Sequence, residues 1–152
     1  MIELGWSAPT ARVDADTARR GILWQHERIR ELLSQARSIA ESALDGDDPS
    51  PPGVAGVIAD LHSTLEVHLT FEERVLLPLL AADGAVGERR AQRLRDEHRR
   101  QREVLAAIHR EASAQPQLPT LAAKLTFLTS WLRADMEEEE RSLLTGALVS
   151  ER

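Results

Sequence analysis

The sequence contains no cysteine, which removes disulfides, thiolate metal sites and cysteine nucleophiles, so any metal site must be built from nitrogen and oxygen donors. Tyrosine is absent as well, phenylalanine occurs 2 times and tryptophan 3 times. With alanine, leucine, arginine and glutamate dominant, strand signals are nearly missing and the chain reads as all-α. Lys124 is the single lysine, so the positive charge is almost wholly arginine. No apolar run reaches the ~20 residues of a membrane-spanning helix, and the opening MIELGWSAPTARVDADTARR lacks the basic start and apolar core of a secretion signal. A cytoplasmic protein without a membrane partner is the expectation. No serine sits in a nucleophile elbow, so a conventional hydrolytic enzyme is not expected.

What is there is acidic: a net charge of -6 and a pI near 5.4 argue against a nucleic-acid partner. The arginine-rich stretch RRAQRLRDEHRRQR is interrupted by Asp96 and Glu97 and followed by Glu103, the pattern of a solvated helix face. In 152 residues there is no linker, low-complexity tract or second composition regime, which predicts one domain over 1–152, with a core over about 15–147 after an N-terminal extension, 1–14.

Turn chemistry falls in three places, DGDDPSPPG at 45–53, ADG at 82–84 and SAQPQLP at 113–119, and leaves four segments of helical length. An up-down-up-down four-helix bundle follows. The first helix, about Asp16 to Leu44, should bury Ile22, His26, Ile29, Leu33 and Ala40. The second, about Val54 to Leu80, turns inward Ile58, Leu61, Leu65, His68, Glu72, Val75 and Leu79. The third, about Gly87 to Ala112, offers Ala91, Leu94, His98, Leu105 and Ile108, and the fourth, from about Pro119, offers Leu121, Leu125, Leu128, Trp131, Asp135, Glu139 and Leu143.

Every helix therefore carries a polar, metal-competent residue on its apolar face. Imidazole and carboxylate taken out of water must be hydrogen-bonded, ion-paired or metal-bound. Their heights agree: His98 lies 17 residues before Gln115 and Asp135 lies 17 after Leu118, while His26 stands 20 before Gly46 and Glu72 stands 19 after Gly53. At about 1.5 Å of rise per residue, all of them fall in one layer. The chain also repeats itself weakly. HERIREL in the first helix matches HRRQREV in the third, and HLTFEERVLL in the second matches DMEEEERSLL in the fourth, with Asp135 where the other copy has His68.

A lone histidine in the first helix, H-x-x-x-E-E in the second, a histidine in the third and D-x-x-x-E-E in the fourth resemble the hemerythrin-like, or HHE cation-binding, family over roughly residues 15–147. The resemblance implies a non-haem centre of two iron ions, bridged by oxo or hydroxo groups and by carboxylates, with zinc or manganese as alternative metals. It implies His26 and His68 as terminal ligands of one ion, His98 of the other, and Glu72 and Glu139 as bridges. The family's helix-4 histidine is Asp135 here, and Arg102 stands one turn after His98, so the imidazole set of the oxygen carriers is incomplete. The functions implied are sensing or handling of dioxygen, peroxide, nitric oxide or iron. The alternatives are a partner-binding bundle with a degenerate site and a small di-metal oxidase or peroxidase.

Several neighbouring residues have plainer readings. Glu73 points about 140° from His68 on a helical wheel and is expected to be a surface ion-pair residue, and Glu137 and Glu140 are expected to be solvated. Trp131 is expected either to roof the layer or to be a core tryptophan. His62 on the flank of the apolar stripe and His109 near a helix end are left out of the site.

Overall fold

The computed structural model describes residues 15–45, 51–114 and 118–146, and it is an all-α four-helix bundle. The helices are α1 (Ala15–Leu44), α2 (Pro51–Ala81), α3 (Gly84–Ser113) and α4 (Leu118–Gly146), within a few residues of the punctuation in the sequence. The segment 1–14, parts of two turn stretches and the burial of Leu143 lie outside the described residues.

Side-chain pairs give the direction of each neighbour. Gln25 meets His68 and Gly21 faces Phe71; Glu73 meets His98 and Glu66 meets Arg102; Arg30 meets Glu140 and Ser34 meets Arg133. In each pair one number rises as the other falls, so α1, α2, α3 and α4 alternate in direction around a square. The α1/α2, α2/α3 and α1/α4 seams are well packed, and the α3/α4 seam is the loosest of the four.

The short connection between α2 and α3 depends on two glycines. Gly84 opens α3 at a φ of 68°, a conformation that costs glycine no steric strain. At Gly87 a Cβ would lie 1.8 Å from the carbonyl oxygen of Leu80, so the first turn of α3 can sit against the end of α2 only without a side chain.

The apolar interior is divided in two. A large cluster holds Ile29, Leu33, Ile58, Leu61, Leu105, Leu121, Leu125 and their neighbours, and a smaller one holds Ile22, Leu76, Leu80, Ala91 and Leu94. Each fully buried leucine or isoleucine contributes about 1.5–3 kcal/mol, which is what holds a polar layer between the two clusters. Most of the expected inward residues are buried, but the stripe drifts at two helix ends. In α2, Val75 and Leu79 are half-buried while Leu76 and Leu80 go inside; in α4, Trp131 and Asp135 are half-buried while Leu132 and Met136 go inside. The α4 face rolls towards its tightly packed neighbour α1 and leaves Trp131 and Asp135 on the loosely packed α3 side.

Candidate metal centre

Five polar residues converge in the layer between the apolar clusters. His26, His68, Glu72, His98 and Glu139 are all buried, with Glu139 the most exposed at 4%. One donor atom from each of His26, His68, Glu72 and Glu139 lies within 4.8 Å of the others. His26 Nε2 is 3.6 Å from Glu72 Oε1 and 3.4 Å from Glu139 Oε1, and His68 Nε2 is 3.0 Å from Glu72 Oε1. His98 approaches the other side of the same carboxylate, with Nε2 3.0 Å from Glu72 Oε2. The structure thus brings together five of the six residues chosen from the sequence.

Asp135 is the one held apart. It is half-buried and accepts a 2.7 Å hydrogen bond from Gln101 Nε2, and it lies outside the four-residue cluster. Burial, reinforced by the charges of Glu97 and Glu72, keeps its carboxyl above the ordinary aspartate range despite the Gln101 bond. The roll of α4 explains the position: the side of the helix that carries Asp135 faces α3 rather than the layer.

The imidazoles are oriented from outside. His26 Nδ1 donates to Glu140 Oε1 at 2.9 Å, and Arg30 Nη2 donates to the same oxygen at 2.9 Å. His98 Nδ1 donates to Glu73 Oε1 at 3.0 Å, and Arg102 clasps both oxygens of Glu73 at 2.6 and 3.2 Å. His68 Nδ1 donates to Gln25 Oε1 at 2.8 Å. With each Nδ1 engaged outward, each Nε2 faces the layer, the arrangement by which outer carboxylates and amides fix a ligating histidine.

Two expectations need correction here. Glu140 is not solvated but serves as the acceptor for His26 and Arg30. Glu73 does form the expected ion pair with Arg102, yet the same carboxylate also holds His98, so it belongs to the centre's surroundings rather than to the surface alone. The reason is geometric: a residue beside an inward one sits at the seam between helices, where it reaches the outer edge of a ring from the next helix. The signal was present in the repeat, since His26/Arg30 and His98/Arg102 share H-x-x-x-R and each faces an E-E pair. Glu137 and Glu138 are exposed, as the choice of Glu139 requires. His62 and His109, both half-buried, stack on each other with centroids 4.9 Å apart, a meeting that neither helix alone discloses. Trp131 is half-buried and donates its indole N–H to Glu97 at 2.9 Å.

The electrostatics are those of a site that needs a cation. Burial would lower the His26 imidazole, but the carboxylates of Glu139 and Glu72 outweigh it and hold it up to about 10. His98 is raised in the same way by Glu72 and Glu73 against the effect of burial. Burial would raise Glu72, but a hydrogen bond from Glu139 and the imidazoles of His68 and His26 keep it well below the usual glutamate range. Glu139 is pushed well above it by burial and by the charge of Glu72. Even so, His26 Nε2, Glu72 Oε1 and Glu139 Oε1 are buried without a hydrogen-bond partner among the described residues. Leaving such atoms unsatisfied is costly. These donors converge on a common point, and once the imidazoles give up their inward protons the mixed imidazole and carboxylate set suits iron, manganese or zinc.

The family model for the hemerythrin HHE cation binding domain matches residues 19–146. No curated protein and no solved structure matches the chain.

Proposed function

The chain belongs to the hemerythrin HHE cation-binding domain family, and from that premise we propose that it is a non-haem iron protein whose centre senses or handles dioxygen, peroxide, nitric oxide or iron itself. Cation binding is the property of the family; iron and the small ligand are the further step. One observation carries the reading: three buried histidines have Nδ1 engaged outward and Nε2 turned towards the carboxylate of Glu72, with Glu139 beside His26 as a second carboxylate.

Iron held there would supply one-electron redox chemistry and open positions for a small ligand. The residues of the chain do the rest. His26, His68, Glu72 and Glu139 form the stronger position, with two nitrogen donors and two carboxylates. His98, at the far oxygen of Glu72, marks a second position that is poor in imidazole because residue 135 is aspartate, whose carboxylate is moreover engaged by Gln101. Glu140 with Arg30, and Glu73 with Arg102, hold the rings in place, and the two apolar clusters cap the layer on either side.

The test is elemental analysis of protein purified without oxygen, followed by melting with and without a chelator. Iron should be the dominant metal, and its removal should lower the melting temperature by several degrees, because ligands from separate helices bind only the native state. A zinc-loaded or metal-free protein with one melting temperature would favour the alternative, a partner-binding bundle with a degenerate site.

Asp135→His restores the family pattern at the weaker position. We expect metal content to rise from about one ion per chain towards about two, since imidazole binds iron better than a carboxylate already held by an amide. Air oxidation of the reduced protein should slow as well, because replacing a carboxylate by a neutral imidazole removes negative charge that would stabilise the ferric state. Unchanged metal content would mean that a side chain at position 135 does not reach the layer.

A further inference from the structure

At the height of the layer, three of the four seams of the bundle are shut by buried or half-buried side-chain pairs. Arg30, Glu140 and His26 close α1 against α4, Arg102, Glu73 and His98 close α2 against α3, and Gln25 with His68 closes α1 against α2. The fourth seam, although bridged by Gln101 with Asp135 and by Glu97 with Trp131, is loosely packed and holds a cavity. Between α3 and α4 a cavity of about 630 Å³ opens to solvent, bounded by Trp131 and Ala134 and reaching Asp135 and Glu139. Glu139 belongs to the four-residue cluster, is 4% exposed, and carries a buried Oε1 with no hydrogen-bond partner among the described residues. The cavity therefore touches the cluster at Glu139.

The lining is acidic on balance, with five carboxylates against three arginines. Glu138 stands exposed beside Ala134 and Glu139, and its carboxylate has no partner among the described residues. Glu97, on the opposite wall, is turned in by its bond from the Trp131 indole. A cleft lined by one excess sign of charge concentrates ions of the other sign and raises their rate of arrival.

We propose that the α3–α4 cleft is the entry and exit path of the metal: a hydrated divalent cation is gathered at Glu138 and Glu97 and passes along the cavity to Glu139. This rests on the reading of the layer as a cation site. Because neither Glu138 nor Ala134 belongs to the resting site, the path governs rates and leaves the equilibrium nearly untouched.

Cobalt(II), whose visible absorption reports ligation, is mixed with the metal-free full chain, and its release is then driven with excess chelator. Ala134→Trp, at an exposed position, fills the cleft. It should slow loading and release by the same factor, about tenfold or more, with Kd unchanged to within about twofold, since gating alters arrival and departure alike. Glu138→Gln should slow loading and weaken its dependence on salt, because part of the field that attracts the cation is removed. Melting of the metal-free variants checks that each is folded. An Ala134→Trp protein that loads and releases at the parental rates, or in which only one of the two rates changes so that Kd shifts with it, overturns the path. Should that variant not fold, Glu138→Gln decides alone, and parental loading with parental salt dependence overturns the path. A parent that takes up no cobalt defeats the reading of the layer as a metal site, whereas a parent that loads with equal speed when the cleft is filled defeats the path only.

Discussion

Glu72→Ala should abolish metal retention and also destabilise the metal-free protein by about 3–5 kcal/mol, the cost of removing one member of a buried ionic network. Glu72 is the carboxylate that every imidazole in the layer approaches: His26 at 3.6 Å, His68 at 3.0 Å and His98 at 3.0 Å. Its removal takes a donor from the cation and leaves the buried imidazoles of His26, His68 and His98 without their common carboxylate. Glu73→Ala should be milder. It frees His98 Nδ1 and Arg102 but removes no inward-facing oxygen, and losses of an outer partner typically weaken metal affinity by about 10–100-fold. Competition with a chelator gives the affinities, and denaturant titration of the metal-free proteins gives the stabilities. Equal loss of metal in the two variants would contradict the inward assignment of Glu72.

Stability of the metal-free protein should fall as pH rises from about 6.5 to about 10, whereas metal affinity over the same range should increase. The His26 imidazole has an ordinary value of 6.5 and is held up to about 10 in the folded chain by Glu139 and Glu72 against the effect of burial. Its contribution to stability is therefore complete below 6.5, where both states bind the proton. It is lost as pH passes through the folded value, because between the two values the folded state binds more protons. His98 is shifted upwards too and acts in the same direction. A bound cation reverses the requirement, since a ligating nitrogen must give up its proton. Uptake of metal near neutral pH should release protons into weakly buffered solution, and the difference in melting temperature between loaded and metal-free protein should widen as pH rises. A metal-free protein whose stability is flat from pH 6.5 to 10 would show that His26 is not paired with the carboxylates.

The sequence by itself determined the helices, their order and most of the polar layer. Long apolar stripes of period 3.6 interrupted by proline, glycine and aspartate admit little besides a helical bundle. Equal rise along antiparallel neighbours then makes heights comparable across turns, so the meeting of His26, His68, Glu72, His98 and Glu139 was legible before any coordinate. The H-x-x-x-R and E-E repeats also held the outer pairs, Arg30 with Glu140 and Arg102 with Glu73, although a helical wheel assigns both glutamates to the outside.

The roll of each helix about its own axis was decided by the tertiary structure alone. Asp135 matches His98 in height, but height is a coordinate along the axis, and the difference between facing the layer and facing a seam is an angle about it. That angle is set by how each helix beds against two neighbours at once. Because α4 packs closely on α1 and loosely on α3, Leu132 and Met136 fill the interior while Trp131 and Asp135 line the α3–α4 cleft. Uneven packing of the four seams depends on contacts between residues far apart in the chain, and for that reason neither the cleft nor the withdrawal of Asp135 could be read from spacing along one helix.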